Sequence, residues 1–410
     1  MKFASRLALL LVCLFLCYEP LLAQTLPAPD PQAAGISEKR LTSLSAYLNQ
    51  EIEDQHLPGA VSLIYRKGQL AHYETYGYAD VETKAVMQND QLFYIQSMTK
   101  PIVSVGIMML YEEGHFDLND PVSEYLPQFA NRQVEVNDGD STYLVGAKRE
   151  ITIAQLLSHT AGLSHGLGGS DIDQRYRQAL YGKAHADIEA RVNAMAALPL
   201  LGQPGDQWYY SASPDILALL IEKFSGMNTA EFLQEMIFGP LGMDDTGYNL
   251  PDNKTTRAVG LHFKSKEGIV SLRPNQTPTK GHTVFGGTHG LFSSAHDYLR
   301  FCQMLLNGGE LSGHRLLSPK TVALMTTNHV GDLFTDAGYG FGLGFSVRTD
   351  LAAAKALGSV GTFGWSGAYN TYFFIDPKEE LIGILMTQFA PYTNFYKDKF
   401  QQLVYQAIVE

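Results

Sequence analysis

Two pairs of β-forming runs sit at opposite ends of this chain, and their placement limits the fold more than any other feature. Residues 61–65 and 70–78 are joined by Arg66-Lys67-Gly68-Gln69, and residues 369–375 and 381–387 flank Asp376-Pro377-Lys378-Glu379-Glu380. Short apolar and aromatic runs around compact polar turns predict antiparallel hairpins. Ser37, followed by Glu38 and Leu41, predicts a helix running to about residue 55 and stopping before Pro58-Gly59. Near the other terminus Phe395, Phe400, Leu403, Val404, Ala407 and Ile408 recur at helical spacing, giving a helix able to cover one face of a sheet. Between the hairpins the pattern is helical and punctuated by Gly and Pro. The expected class is therefore α+β: an antiparallel sheet built from both termini, flanking helices, and a mostly helical insertion. We expect a discontinuous sheet domain over 24–100 and 280–410 and a mostly helical one over 101–279. The antiparallel hairpins argue against a doubly wound parallel sheet.

The start of the chain reads as a signal peptide. Met-Lys-Phe-Ala-Ser-Arg supplies positive charge, and residues 7–17 form an apolar run too short to span a bilayer. Cleavage is expected after Ala23, so the mature chain is expected to be periplasmic or secreted, with no membrane span. Loss of Lys2, Arg6 and Glu19 from the 30 basic and 42 acidic residues leaves a formal charge of −13. Such an acidic protein is not expected to bind nucleic acid or anionic lipid. Cys13 and Cys17 leave with the leader, so Cys302 alone stays and no intrachain disulfide can form. Cys302 lies in an amphipathic helical pattern over 297–306 and is expected to pack in the core. No H-E-x-x-H or cysteine cluster occurs, so no metal or other cofactor is expected.

The strongest chemical motif is Ser97-Met98-Thr99-Lys100. It is the only S-x-x-K spacing in the chain and precedes an apolar helical run, residues 101–111, that Gly114 should close. Ser97 is thus expected at a helix N-terminus, where partial positive charge and unpaired N–H groups favour negative charge near its Oγ. Lys100, three residues on, projects from the same face and is placed to handle its proton. Farther along, Ser213 as N-cap and Pro214 at the first helical position predict a helix ended by Gly226. That puts Tyr210 in the loop ahead of it, where the Lys100 charge is expected to lower the phenol's pKa. The third element is Phe363-Gly364-Trp365-Ser366-Gly367-Ala368, expected as a Gly-flanked entry to the strand starting near Tyr369. There the Ala368 N–H can join that of Ser97 in an oxyanion hole, with Trp365, Ser366 and Gly367 lining the substrate.

Taken in order, these elements resemble the serine β-lactamase and penicillin-recognising superfamily, most closely its class C-related carboxylesterase branch. Leu156-Leu157-Ser158-His159-Thr160-Ala161-Gly162-Leu163 is similar to the family's Leu-Leu-x-His-Thr-Ser-Gly-Leu, and the run from Phe285-Gly286-Gly287-Thr288 to Ala295 to its Gly-rich stretch before a helix. The resemblance covers about residue 35 to the end and implies a β-lactamase/transpeptidase-like fold. It also implies that Ser97 is the nucleophile, Lys100 and Tyr210 the proton-handling pair, and the Ser97 and Ala368 N–H groups the oxyanion donors. Either Lys100 or Tyr210 can be the base on this reading, the two titrating as a coupled pair. His159 is expected to hold structure beneath the cleft. Two departures bear on substrate: Trp365 stands where lactamases and peptidases carry the Lys of Lys-Thr-Gly, and Tyr210-Ser211-Ala212 replaces Tyr-x-Asn. Both remove polar specificity and add apolar surface, favouring a small neutral ester over a lactam or peptide amide. The expected function is an exported serine hydrolase of esterase or transesterase type. The alternatives are a β-lactamase or D-amino-acid peptidase and, from another class, a non-catalytic cell-envelope binding protein.

Overall fold

The computed structural model describes residues 26–139, 141–266, 268–271 and 278–410. The expected leader over 1–23 lies outside them. Strands β1 (Gly59–Arg66) and β2 (Gln69–Asp80) meet at Lys67-Gly68, whose φ values of 50° and 78° suit the twist of a two-residue hairpin turn. The remaining strands of this sheet are β3 (Ala85–Val86), β4 (Tyr339–Phe341), β5 (Ser346–Arg348), β6 (Phe363–Ser366), β7 (Tyr372–Asp376) and β8 (Leu381–Met386). Among the described residues they form an eight-stranded antiparallel sheet in the order β4-β5-β6-β7-β8-β1-β2-β3. β8 pairs with β1, Leu63 opposite Ile384, so the N- and C-terminal hairpins join at its centre.

Both sheet faces are covered, which is why the central strands read as continuous apolar runs. Ile64, Phe374 and Leu385 face Leu41, Leu44 and Leu48 of helix α1 (Glu38–Glu53) together with Phe400 and Val404 of the C-terminal helix Asn394–Tyr405. Ser37 caps α1 as expected, accepting from the Arg40 N–H. Leu63, Phe373 and Ile384 point the other way, into the larger core. Helix α2 (Thr99–Glu112) is buried at every residue from Thr99 to Leu110. A helix apolar all round must lie inside the molecule, and this one carries Lys100 with it. Helix α3 (Asp171–Tyr181) packs on α4 (Ile188–Ala196), α4 on α5 (Ser213–Ser225) and α5 on α2, while α6 (Ala295–Leu306) lies against the sheet with Cys302 buried.

Three local expectations change. The helical middle contains a hairpin, Gln133–Asn137 with Thr142–Gly146, where β-branched and aromatic residues flank a turn opening Asn137-Asp138-Gly139. Helix α5 begins at Ser213 itself, with Ala212 in the capping position, because the Ser213 hydroxyl is engaged by the Ser211 hydroxyl at 2.7 Å. Residues 363–366 are a strand rather than a strand entry. Gly364 serves pairing with β7, since a Cβ there would meet the Phe373 carbonyl oxygen at 2.2 Å.

Candidate active site

Ser97 lies, half-buried, in a single tight turn, Gln96–Met98, that runs directly into α2. The turn is held from several sides. The Tyr298 hydroxyl donates to the Met98 carbonyl at 2.9 Å, and the Ile95 N–H donates to the Leu291 carbonyl at 3.0 Å. Gln96 adopts φ of 50°, a conformation that costs a non-glycine residue about 1 kcal/mol or more and persists only when its surroundings enforce it. Its side chain lies near the Tyr369 hydroxyl, which comes from the loop after β6.

Lys100 is buried one turn along α2, with Nζ 3.1 Å from Ser97 Oγ and 2.9 Å from the Thr288 carbonyl oxygen. It also sits over the face of the Tyr210 ring, 4.6 Å from the centroid. Burial pulls its pKa down from 10.5 to about 7, opposed by the Asp215 carboxylate and assisted by the Arg191 guanidinium. The Tyr210 side chain lies beside those of Ser97 and Trp365, so amine and phenol flank one seryl oxygen. Its pKa is pushed up to about 12 by burial, against the expectation that a neighbouring ammonium would lower it. The site that desolvates the phenol also desolvates the amine, so the positive charge invoked to acidify Tyr210 is itself disfavoured.

Around Tyr210 the walls are aromatic. Trp365 lies 5.6 Å from its ring centroid, His165 stacks at 5.3 Å, and Trp208 stacks at 6.1 Å. His159 is buried behind it, its Nδ1 2.9 Å from Ser211 Oγ, and burial holds its pKa well below the usual range. That geometry suits a structural imidazole. The exit of β6 turns back at Gly367, whose N–H donates to the Thr371 carbonyl at 2.8 Å. A Cβ on Gly367 would lie 2.4 Å from the Ile95 carbonyl oxygen, so only glycine lets this turn dock on the segment leading into Ser97. Ala368 follows it at the surface, and Ser366 Oγ lies 3.0 Å from the Tyr392 hydroxyl.

Three residues that the motifs did not single out complete the site. Thr288 supplies the carbonyl that receives the Lys100 amine, and its own N–H donates to Asp215 Oδ1 at 2.8 Å. Asp215 is fully buried in the first turn of α5 and pairs with Arg191 of α4, Nε to Oδ2 2.8 Å. Gly286-Gly287 was the available sequence signal. A Cβ on Gly287 would fall 2.0 Å from the Pro214 carbonyl oxygen, and one on Gly286 would fall 2.7 Å from Asp215 Oδ1. The paired glycines thus mark where the backbone closes on the start of α5.

A half-buried seryl hydroxyl contacted by a buried amine and a phenol is the equipment of a serine hydrolase. The beta-lactamase family profile matches residues 44–406. The chain belongs to that family, and the protein is an enzyme of the serine hydrolase class. It is 35% identical over 356 residues to an uncharacterised protein of Mycobacterium tuberculosis (strain CDC 1551 / Oshkosh), covering 82% of this chain and 86% of that one. It is 29% identical over 386 residues to esterase EstB of Burkholderia gladioli, covering 88% and 94%. Among solved structures, EstCE1, a hydrolase with promiscuous acyltransferase activity, superposes with a TM-score of 0.78 at 25% identity, over 91% of this chain and 99% of that one.

Proposed function

We propose that the protein is a carboxylesterase or transesterase acting on small neutral esters through an acyl-enzyme on Ser97. The observation that carries this reading is the Lys100 amine 3.1 Å from Ser97 Oγ, in surroundings that hold it about half neutral near pH 7. The neutral amine keeps an N–H on the Thr288 carbonyl and turns its lone pair to the seryl O–H. Ser97 Oγ bonds to the ester carbonyl carbon while its proton passes to Lys100. Collapse of the tetrahedral intermediate breaks the bond to the leaving alkoxide, which takes a proton from the Lys100–Tyr210 pair. Water or a second alcohol then resolves the acyl group by the reverse sequence. Acid–base assistance of this kind contributes about 10²–10⁴ in rate. The N–H groups of Ser97 and Ala368 stabilise the oxyanion, a role supported by the docking of the Gly367 turn on Ile95.

Preference for a neutral ester is supported by the aromatic wall of Trp365, Tyr210 and Trp208, and by Trp365 at the position where a carboxylate-binding lysine would stand. The names of EstB and EstCE1 accord with it. Export is supported by the charged start and the apolar run over 7–17. The test is turnover of short-chain aryl esters beside a chromogenic cephalosporin, with wild type and Ser97→Ala. Ester hydrolysis that falls at least about 10³-fold in the variant, with slow lactam turnover, is expected. Rapid lactam turnover without ester hydrolysis would overturn the substrate reading, and undiminished ester hydrolysis by Ser97→Ala would overturn the nucleophile.

A further inference from the structure

We propose that the buried Arg191–Asp215 pair is a positioning device for the Lys100 amine, holding the Thr288 carbonyl in place and balancing charge around it. The inference rests on Lys100 acting as base in the reading above. A continuous line of contacts carries it. Arg191 Nε lies 2.8 Å from Asp215 Oδ2, Asp215 Oδ1 accepts from the Thr288 N–H at 2.8 Å, and the Thr288 carbonyl accepts from Lys100 Nζ at 2.9 Å. Both ends of residue 288 are thereby fixed, one by the carboxylate and one by the amine. Asp215 is fully buried and Arg191 nearly so. An ion pair so deeply desolvated is weak support for stability alone, since an apolar pair of similar volume does as well or better. Arg191 is itself held from other sides, over the Tyr181 ring at 5.0 Å and with Nη2 3.3 Å from His289 Nε2.

The groups that face Lys100 are Ser97, Tyr210, His159, His165, His289, Asp215 and Arg191. Burial keeps all three imidazoles neutral at ordinary pH and the phenol protonated. Formal charge near the amine therefore comes from the pair. Asp215 raises the proton affinity of Lys100 and Arg191 lowers it, so removing each must move the amine's titration in opposite directions.

The experiment is the pH dependence of kcat/KM for a neutral aryl ester in Asp215→Asn, Arg191→Gln, Arg191→Lys and the double variant Arg191→Gln/Asp215→Asn, with circular dichroism to follow folding. Asp215→Asn keeps an acceptor for the Thr288 N–H but leaves Arg191 unbalanced, and its acid limb is expected to fall by about one pH unit. Arg191→Gln is expected to raise the limb by about one unit, whereas Arg191→Lys and the double variant return it toward wild type. Asp215→Ala, which also frees residue 288, is expected to lower kcat about 10²-fold at every pH. Limbs that coincide in all variants, or move the same way in both single variants, would overturn the proposal. If Asp215→Asn fails to fold, Arg191→Gln against the double variant carries the comparison. Inactive Ser97→Ala and Lys100→Ala beside unmoved limbs would refute the role of the pair alone, while active Ser97→Ala or Lys100→Ala would refute the acyl-enzyme reading beneath it.

Discussion

Changing pH between about 5 and 10 separates the two candidate bases, because burial drives their pKa values in opposite directions. With Lys100 at about 7 and Tyr210 at about 12, about half of the enzyme holds a neutral amine at pH 7, whereas about one molecule in 10⁵ holds a phenolate. If the amine is the base, kcat/KM is expected to rise about tenfold per unit below pH 7 and to be flat above about pH 8. From pH 5 to the plateau the gain is about 100-fold. If the phenolate is the base, the rate climbs through about pH 10 without a plateau. The assay is initial-rate hydrolysis of a non-ionising aryl ester well below KM, at constant ionic strength and corrected for spontaneous hydrolysis. Tyr210→Phe serves as the control, and its limb is expected to stay near pH 7 while the rate falls by about 10²–10⁴. A wild-type profile still rising at pH 9, or a limb that disappears in Tyr210→Phe, would refute Lys100 as the base.

The depressed pKa of Lys100 also predicts a cost to folding. The unfolded chain holds its amine proton up to about 10.5 and the folded chain only to about 7, so the penalty is complete below pH 7 and vanishes above about 10.5. Near pH 7 it amounts to roughly 4 kcal/mol, and leaving the Thr288 carbonyl without its donor returns roughly 1–3 kcal/mol of that. Lys100→Met is therefore expected to be inactive yet more stable by about 1–3 kcal/mol in urea at pH 7, with the gain fading toward pH 10; a destabilised variant at pH 7 would contradict this. Gly367→Ala must push the β6 turn off the Ile95 carbonyl, and kcat is expected to fall about 10²–10³-fold, the usual worth of one oxyanion donor, with KM little changed. Wild-type kcat in that variant would argue against Ala368 as a donor. Trp365→Lys is expected to improve turnover of carboxylate-bearing lactams relative to neutral esters, and no improvement would remove the missing cation as the explanation of substrate preference.

The central hairpins were legible because their information is local: Lys67-Gly68 suits a tight turn, and the flanking runs are apolar enough to be buried on both faces. Strands β4 and β5 at one end of the sheet, three residues each, are too short for a periodic pattern to emerge. Ser97 and Lys100 were legible for the same local reason, lying three apart where the chain enters a helix. Their relation to Tyr210 was read with the wrong electrostatic sign. The apolar run over 101–111 already implied a buried amine, and burial raises the phenol's pKa where a neighbouring ammonium was expected to lower it. Asp215 looked like an ordinary acidic residue in the first turn of a helix, where the dipole favours it. Its partners on α4 and beside Gly287 exist only once three distant segments have packed, and of these the glycines alone left a trace in the sequence.

The central claim is that the Ser97 hydroxyl is the atom that takes the acyl group. Intact-mass analysis after brief exposure to a fluorophosphonate and to a slowly hydrolysed aryl ester, followed by peptide mapping, tests it most directly. One adduct per chain on the peptide containing Ser97, absent from Ser97→Ala, is the predicted result. An adduct of equal yield in both proteins, or one mapped to another residue of the wild type, would contradict it.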